Sequence, residues 1–138
     1  MKRKLLVMTI GNPGGGGKSW LARVTHFFAE HTGRTTHIVD GDPGNRSISR
    51  IITSSDAIIF GAKPSVGEEI EKVHRDIEVL IIDCGANSST DTYDIVPLLK
   101  AANAAGQQQG RHAVGLVPVS PNKPGAVGAA RAAKAAFD

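Results

Sequence analysis

The feature that most constrains this chain is a nine-residue tract, Gly11-Asn12-Pro13-Gly14-Gly15-Gly16-Gly17-Lys18-Ser19, directly after the apolar run of residues 4–10 (KLLVMTI). A short apolar run bounded by glycine suits a buried strand. Beyond the tract, Trp20, Leu21, Val24, Phe27 and Phe28 recur at helical spacing, and Gly33 supplies a stop. Strand, glycine loop and amphipathic helix, in that order, are the setting of a phosphate-binding loop. Glycines let backbone N–H groups turn inward and approach phosphate oxygens closely. The helix N-terminus adds partial positive charge. In that setting Gly14, Gly15, Gly16 and Gly17 form the cradle. Lys18 reaches the β- and γ-phosphates, and the Ser19 hydroxyl ligates Mg²⁺. The alternative is a flexible glycine linker, and Gly-Lys-Ser in this context argues against it. One departure is visible: Asn12 stands where the usual pattern begins with glycine.

The rest of the chain alternates in the same way. Residues 35–39 read as a second strand ending at Asp40, and residues 42–45 (DPGN) as a turn. A short helix is expected over 46–54, a short strand over 57–60 and a charged helix over 67–76. Residues 78–82 (EVLII) form a strongly apolar strand that ends at Asp83. A helix follows over about 94–105, with Pro97 tolerated in its first turn, where its missing N–H does no harm. A strand is expected over 113–119 and an alanine-rich helix over 126–137. Alternating strands and helices imply a parallel sheet with helices on both faces. Strands that are apolar throughout agree, because such strands are buried on both sides. With 138 residues and one domain typically taking ~100–200, a single domain is expected over 1–138.

Two acidic elements join the loop. Asp40-Gly41-Asp42-Pro43 leaves the end of the second strand, so both carboxylates sit at the carboxyl edge of the sheet. In open α/β sheets that edge forms the ligand crevice. One carboxylate can hold a magnesium-bound water while the other orients an attacking water. An acidic turn is the simpler alternative, since Asp, Gly and Pro are common turn formers. Val79-Leu80-Ile81-Ile82-Asp83 is similar to a Walker B element, with Asp83 accepting from a magnesium-bound water.

Taken in order, Gly14-Gly15-Gly16-Gly17-Lys18-Ser19, Asp40-Gly41-Asp42-Pro43 and Asp83 resemble the ParA/MinD group of P-loop ATPases, which includes plasmid-partition, plasmid-stability and septum-site proteins. Asn45 resembles the asparagine found shortly after Asp-Pro in that group. The resemblance spans about residues 4–137. It implies a three-layer P-loop NTPase fold with a mostly parallel sheet, and ATP with Mg²⁺ as ligands. By resemblance, Lys18 and the loop amides hold phosphates, Ser19 and Asp83 organise Mg²⁺, Asp40 supports the metal shell and Asp42 positions the attacking water. It also implies a partition or conjugation partner protein and non-specific DNA as partners. Two departures matter. Pro13 stands where the family carries its signature lysine, which reaches across a nucleotide-sandwich dimer, so an ATP-driven homodimer is not expected. Family members also continue well past residue 138, so the chain is expected to match the N-terminal two-thirds of such a domain.

Other features exclude more than they suggest. The longest apolar runs are far short of the ~20 residues that span a bilayer. The basic start, Met1-Lys2-Arg3-Lys4, is followed by too short an apolar stretch for a signal peptide. One cysteine permits no internal disulfide, so a reducing cytoplasm is the expected setting. Cys84 has no histidine placed to activate it and reads as a buried structural thiol. The five histidines lack metal-ligand spacing. The net charge of +3 is too small to name a polyanionic partner, although residues 1–39 carry six basic groups and one acidic. Residues 126–136 are too poor in large apolar groups for a membrane-binding helix. Asn122-Lys123-Pro124-Gly125 is similar to a guanine-reading loop, but Gly125 replaces the aspartate that would pair with guanine. Arg46 and Arg50 are placed to offset phosphate charge or simply to face solvent. Two other functions stay open: a nucleotide-binding switch with little hydrolysis, and an ATP-dependent synthetase of the dethiobiotin synthetase-like group.

Overall fold

The computed structural model describes residues 2–11, 17–41, 48–52, 56–57, 66–84, 95–119 and 126–137. The elements in chain order are β1 (Lys4–Thr9), α1 (Lys18–His31), β2 (Thr36–Gly41), β3 (Asp56–Ala57), α2 (Val66–Lys72), β4 (Val79–Cys84), α3 (Ile95–Gln108), β5 (Arg111–Leu116) and α4 (Ala126–Phe137). The five strands form one sheet in the order β3-β2-β4-β1-β5, and every pairing is parallel.

Sheet faces follow from the alternation of side chains along each strand. On one face Val7, Ile38, Val79 and Ile81 pack against Ala22 and Ala29 of α1 and against Ile48. On the other, Leu6, Met8, Val39, Leu80 and Ile82 pack against Val66 and Ile70 of α2 and Leu99, Ala102 and Ala105 of α3. Phe137 of α4 joins this second cluster. Helices therefore cover both faces, as the alternating pattern requires. Each large aliphatic side chain taken fully out of water contributes roughly 1.5–3 kcal/mol, so these two layers supply the main drive to fold.

From β1 the chain passes over β4 to reach β2, with α1 on one face. From β4 it passes over β1 to reach β5, with α3 on the other. The two connections leave adjacent strands in opposite directions, which opens a crevice at their carboxyl ends. β1 runs into the glycine tract and β4 ends with Asp83 and Cys84, so both chemical elements fall at this point.

Several expected boundaries shift. The helix expected over 67–76 is shorter, Val66–Lys72. The fifth strand begins two residues earlier than expected, at Arg111, and ends at Leu116. Arg111 is the reason: it is buried, and its guanidinium donates to the Ile77 carbonyl at 2.7 Å and to Gln109 Oε1 at 2.7 Å. These bonds tie the strand's first residue to the chain just before β4 and to the turn that precedes β5. Where a short helix was expected after the acidic turn, residues 48–52 make a single turn, with Ile51 and Ile52 N–H both donating to the Ile48 carbonyl. The strand expected over 57–60 falls partly outside the described residues. α3 begins at Ile95, so Pro97 does lie in its first turn, and α4 matches its expected range.

α1 meets the sheet through small residues. Its buried face is Lys18, Ala22 and Ala29. Trp20, Phe27 and Phe28 stand 63%, 62% and 60% exposed. Small residues let this helix lie close to the sheet, and the aromatic stripe is turned to the flank. Phe27 meets Phe28 edge-on with ring centroids 5.8 Å apart and stacks on His31.

Candidate functional site

The site is built on one row of the sheet. Ala57, Asp40, Asp83, Thr9 and Leu116 are successive Cα partners across all five strands. Asp40, Asp83 and Thr9 each lie two residues beyond a side chain that packs on the α1 face, so they share that face. Strand register thus delivers two carboxylates and a hydroxyl to the mouth of the crevice, under the start of α1.

α1 begins at Lys18, and its N-cap is Gly17. Gly17 has φ 92°, in the left-handed region that favours glycine. No side chain caps this end, and the first turn holds no acidic residue. The positive end of the helix dipole therefore lies at Gly17, with no acidic side chain of the first turn to offset it. Lys18 is only 8% exposed. Its stem lies over Gly11: a Cβ at Gly11 would come within 3.3 Å of Lys18 Cδ. Glycine at position 11 is what allows this close approach.

Asp83 is the centre of the arrangement. Ser19 Oγ donates to its Oδ2 at 2.6 Å, and Thr9 Oγ1 donates to its Oδ1 at 2.6 Å. Burial pushes the Asp83 carboxyl above the usual carboxylate range. The two hydroxyl donors oppose that shift, Asp40's charge adds to it, and Lys18's charge offsets part of it. A desolvated carboxylate with a second one beside it in the row favours a cation nearby.

The donor set fits Mg²⁺ better than a metal held by protein alone. Ser19 Oγ and Asp83 Oδ2 are hard oxygens in contact with each other. Among the described residues, no group of three or more His, Cys, Asp or Glu side chains is placed to hold a metal. Mg²⁺ keeps several waters and takes its other ligands from substrate phosphates, so two protein oxygens suffice.

Asp40, expected to support the metal shell, also holds the segment that follows the second strand. It is fully buried, and its Oδ2 accepts from Ser49 Oγ at 2.8 Å, Ser49 N at 3.0 Å and Ile48 N at 3.3 Å. It thus acts as a cap for the turn at 48–51 and ties the chain after the acidic turn back to β2. Asp42, assigned the attacking water, lies outside the described residues, as do Pro13, Gly14, Gly15, Gly16, Asn45 and Arg46. The Asn122–Gly125 stretch does too, so its likeness to a guanine-reading loop meets no structural test. Arg50 is exposed.

Two participants escaped the sequence reading. Thr9 had one visible signal, a hydroxyl in an otherwise apolar run. Ser49 had none.

Cys84 follows Asp83 but turns to the opposite face, in the core with α2 and α3. Burial raises its thiol well above the ordinary range, and Asp83's charge adds to this. A thiolate is the reactive form, so iodoacetamide at pH 8 should label the folded chain at least roughly 100-fold more slowly than the chain in denaturant. Equal labelling rates, followed by mass spectrometry, would show that Cys84 is not sequestered.

No helix among the described residues is long and apolar enough to cross a membrane. No family model matches this sequence, and no curated protein matches it. Among solved structures, chloroplast FtsY from Physcomitrella patens is similar, with a TM-score of 0.51 and 20% identity over 79% of this chain. This chain spans 37% of that one. Likeness at that identity is a likeness of fold: the chain has the α/β fold of P-loop NTPases, with an all-parallel sheet among its described strands.

Proposed function

We propose that this chain binds ATP with Mg²⁺ at the carboxyl ends of β1 and β4 and works as a ParA-like ATPase in plasmid or chromosome partition or plasmid maintenance. The observation that carries the nucleotide reading is the Ser19–Asp83 contact of 2.6 Å beside buried Lys18 at the start of α1. A phosphate chain on the glycine tract would meet the α1 N–H groups and the Lys18 ammonium. Mg²⁺ would take Ser19 Oγ directly and an Asp83-bound water. The ParA-like assignment rests on the order of the three motifs, with Asp42 orienting the attacking water. A partner protein and non-specific DNA belong to the same reading.

A second reading, a nucleotide-binding switch with little hydrolysis, is favoured by Pro13. Proline carries no charge and no backbone N–H, so it cannot bridge to a partner's phosphates as the family's lysine does.

Equilibrium binding of fluorescent ATP and GTP analogues, with and without Mg²⁺, tests the nucleotide reading, with Mg²⁺-dependent ATP binding expected. Failure to bind either nucleotide would sink it. Asp42→Ala should leave binding intact and slow turnover by about 100-fold or more, because a water-orienting group acts in the transition state. Turnover as fast as the parent's would remove that role from Asp42. Negligible turnover in the parent, even with DNA present, would select the switch.

A further inference from the structure

We propose that Thr9 is a positioning residue for the metal: its hydroxyl holds one oxygen of Asp83 so that the other is presented, together with Ser19, to Mg²⁺. This inference rests on the nucleotide–Mg²⁺ reading above and adds a residue outside the three motifs.

Three observations carry it. Thr9 is fully buried, and its donor is spent on Asp83 Oδ1 at 2.6 Å. Ser19 takes the other oxygen, Oδ2, at the same distance. Thr9 and Asp83 are Cα partners on adjacent parallel strands, so the bond is set by the sheet itself and not by a mobile loop.

The chemistry explains why a hydroxyl is needed at this position. An aspartate has one soft torsion beyond χ1, and a carboxylate held at a single oxygen can swing about it. Held at both oxygens, its plane is defined. The side chains one pleat below on this face, Val7 and Ile81, are apolar and offer Oδ1 no donor. Without Thr9, that oxygen would be left in an apolar layer with its bond unmade, which favours rotation of the carboxyl away from this position. That rotation misplaces the group that must face a dication. Groups that orient metal ligands from behind typically change metal affinity by about 10–100-fold when removed.

The test is a Mg²⁺ titration of fluorescent ATP-analogue binding, using the full chain as parent, Thr9→Val and Thr9→Ser. Thr9→Val keeps the shape and removes the donor, while Thr9→Ser keeps the donor. The Mg²⁺ midpoint of Thr9→Val should rise about 10–100-fold, with binding in EDTA within about two-fold of the parent's and Thr9→Ser within about three-fold at both. Mn²⁺ binding by electron paramagnetic resonance, with nucleotide present, should show the same order. If Thr9→Val loses its cooperative thermal transition, Thr9→Cys replaces it: the thiol is a weak donor of similar size, and a smaller shift in the same direction is expected.

Three results would overturn the inference alone: a Thr9→Val midpoint equal to the parent's, Thr9→Ser impaired as much as Thr9→Val, or EDTA binding that falls in step with Mg²⁺-dependent binding. A parent that binds no nucleotide, or binds it without regard to Mg²⁺, would overturn the underlying reading and this inference with it.

Discussion

Lys18→Ala should cost nucleotide affinity about 10²–10⁴-fold, because two charge-assisted contacts of about 1.5–3 kcal/mol each are lost together. Lys18 lies at the mouth of the crevice, and the absence of a side chain at Gly11 leaves room for its buried stem. Removing it leaves the backbone cradle and the α1 dipole to face the phosphate charge without a compensating ammonium. The fold should survive, since the neighbouring core residue Ala22 and the sheet beneath are untouched. Fluorescence titration with a non-hydrolysable ATP analogue, on mutant whose circular dichroism matches the parent's, would measure the loss. Unchanged affinity in a folded mutant would end the assignment of residues 11–19 as a phosphate-binding loop.

Asp83→Asn should have two effects of opposite sign. In nucleotide binding, the Mg²⁺ midpoint should rise by about 10–100-fold, because the carboxylate proposed to order a metal-bound water has lost its charge. Without metal, the same substitution should make the fold more stable near neutral pH. Burial keeps the Asp83 carboxyl above its ordinary range in the folded chain, with Asp40's charge adding to the effect. An acid whose pKa is raised on folding binds more protons folded than unfolded. Its contribution to stability is therefore full below the ordinary carboxylate range and is lost as pH rises through the folded value. The amide carries no charge to desolvate, and both hydroxyl contacts can be kept if Ser19 or Thr9 accepts from it. Metal-free thermal melts should place Asp83→Asn above the parent at pH 7, with the gap narrowing toward pH 4. A mutant less stable than the parent at pH 7, with the gap independent of pH, would mean that the ionised carboxylate is already compensated within the chain. Saturating Mg²⁺ and ATP should reverse the order, since only the parent would gain fully from the bound ligand.

These two residues were legible before the fold was known, and the reasons are local. A glycine tract ending in Lys18-Ser19 has its meaning from its nearest neighbours, and so does an aspartate that closes four apolar residues. Strand and helix periods also carried the order of elements, and with it the parallel α/β class. Positive φ at Gly17 and Gly33 agrees with the loop and stop read from them.

The rest depended on contacts between residues far apart in the chain. Thr9 and Asp83 are 74 positions apart, and Ser19 and Asp83 are 64 apart. No local pattern says that β1 pairs with β4, yet that pairing turns a hydroxyl in an apolar run into a partner for Asp83. Asp40 shows the same limit: its place at a strand end was readable, but its bonds to Ser49 arise only once the following turn folds back onto β2. Arg111 carries no local signal for burial, yet it is buried and bonded to the Ile77 carbonyl. The aromatic stripe of α1 is the clearest case. Periodicity identifies a helix and its faces, but which face meets the sheet depends on how closely the two can approach. Here Ala22 and Ala29 allow the closer contact, and Trp20, Phe27 and Phe28 remain in solvent. The sequence alone determined what the loop and the strand ends are made of. The tertiary structure decided which of those groups meet, because register and close approach are set by the whole sheet and not by any one segment of it.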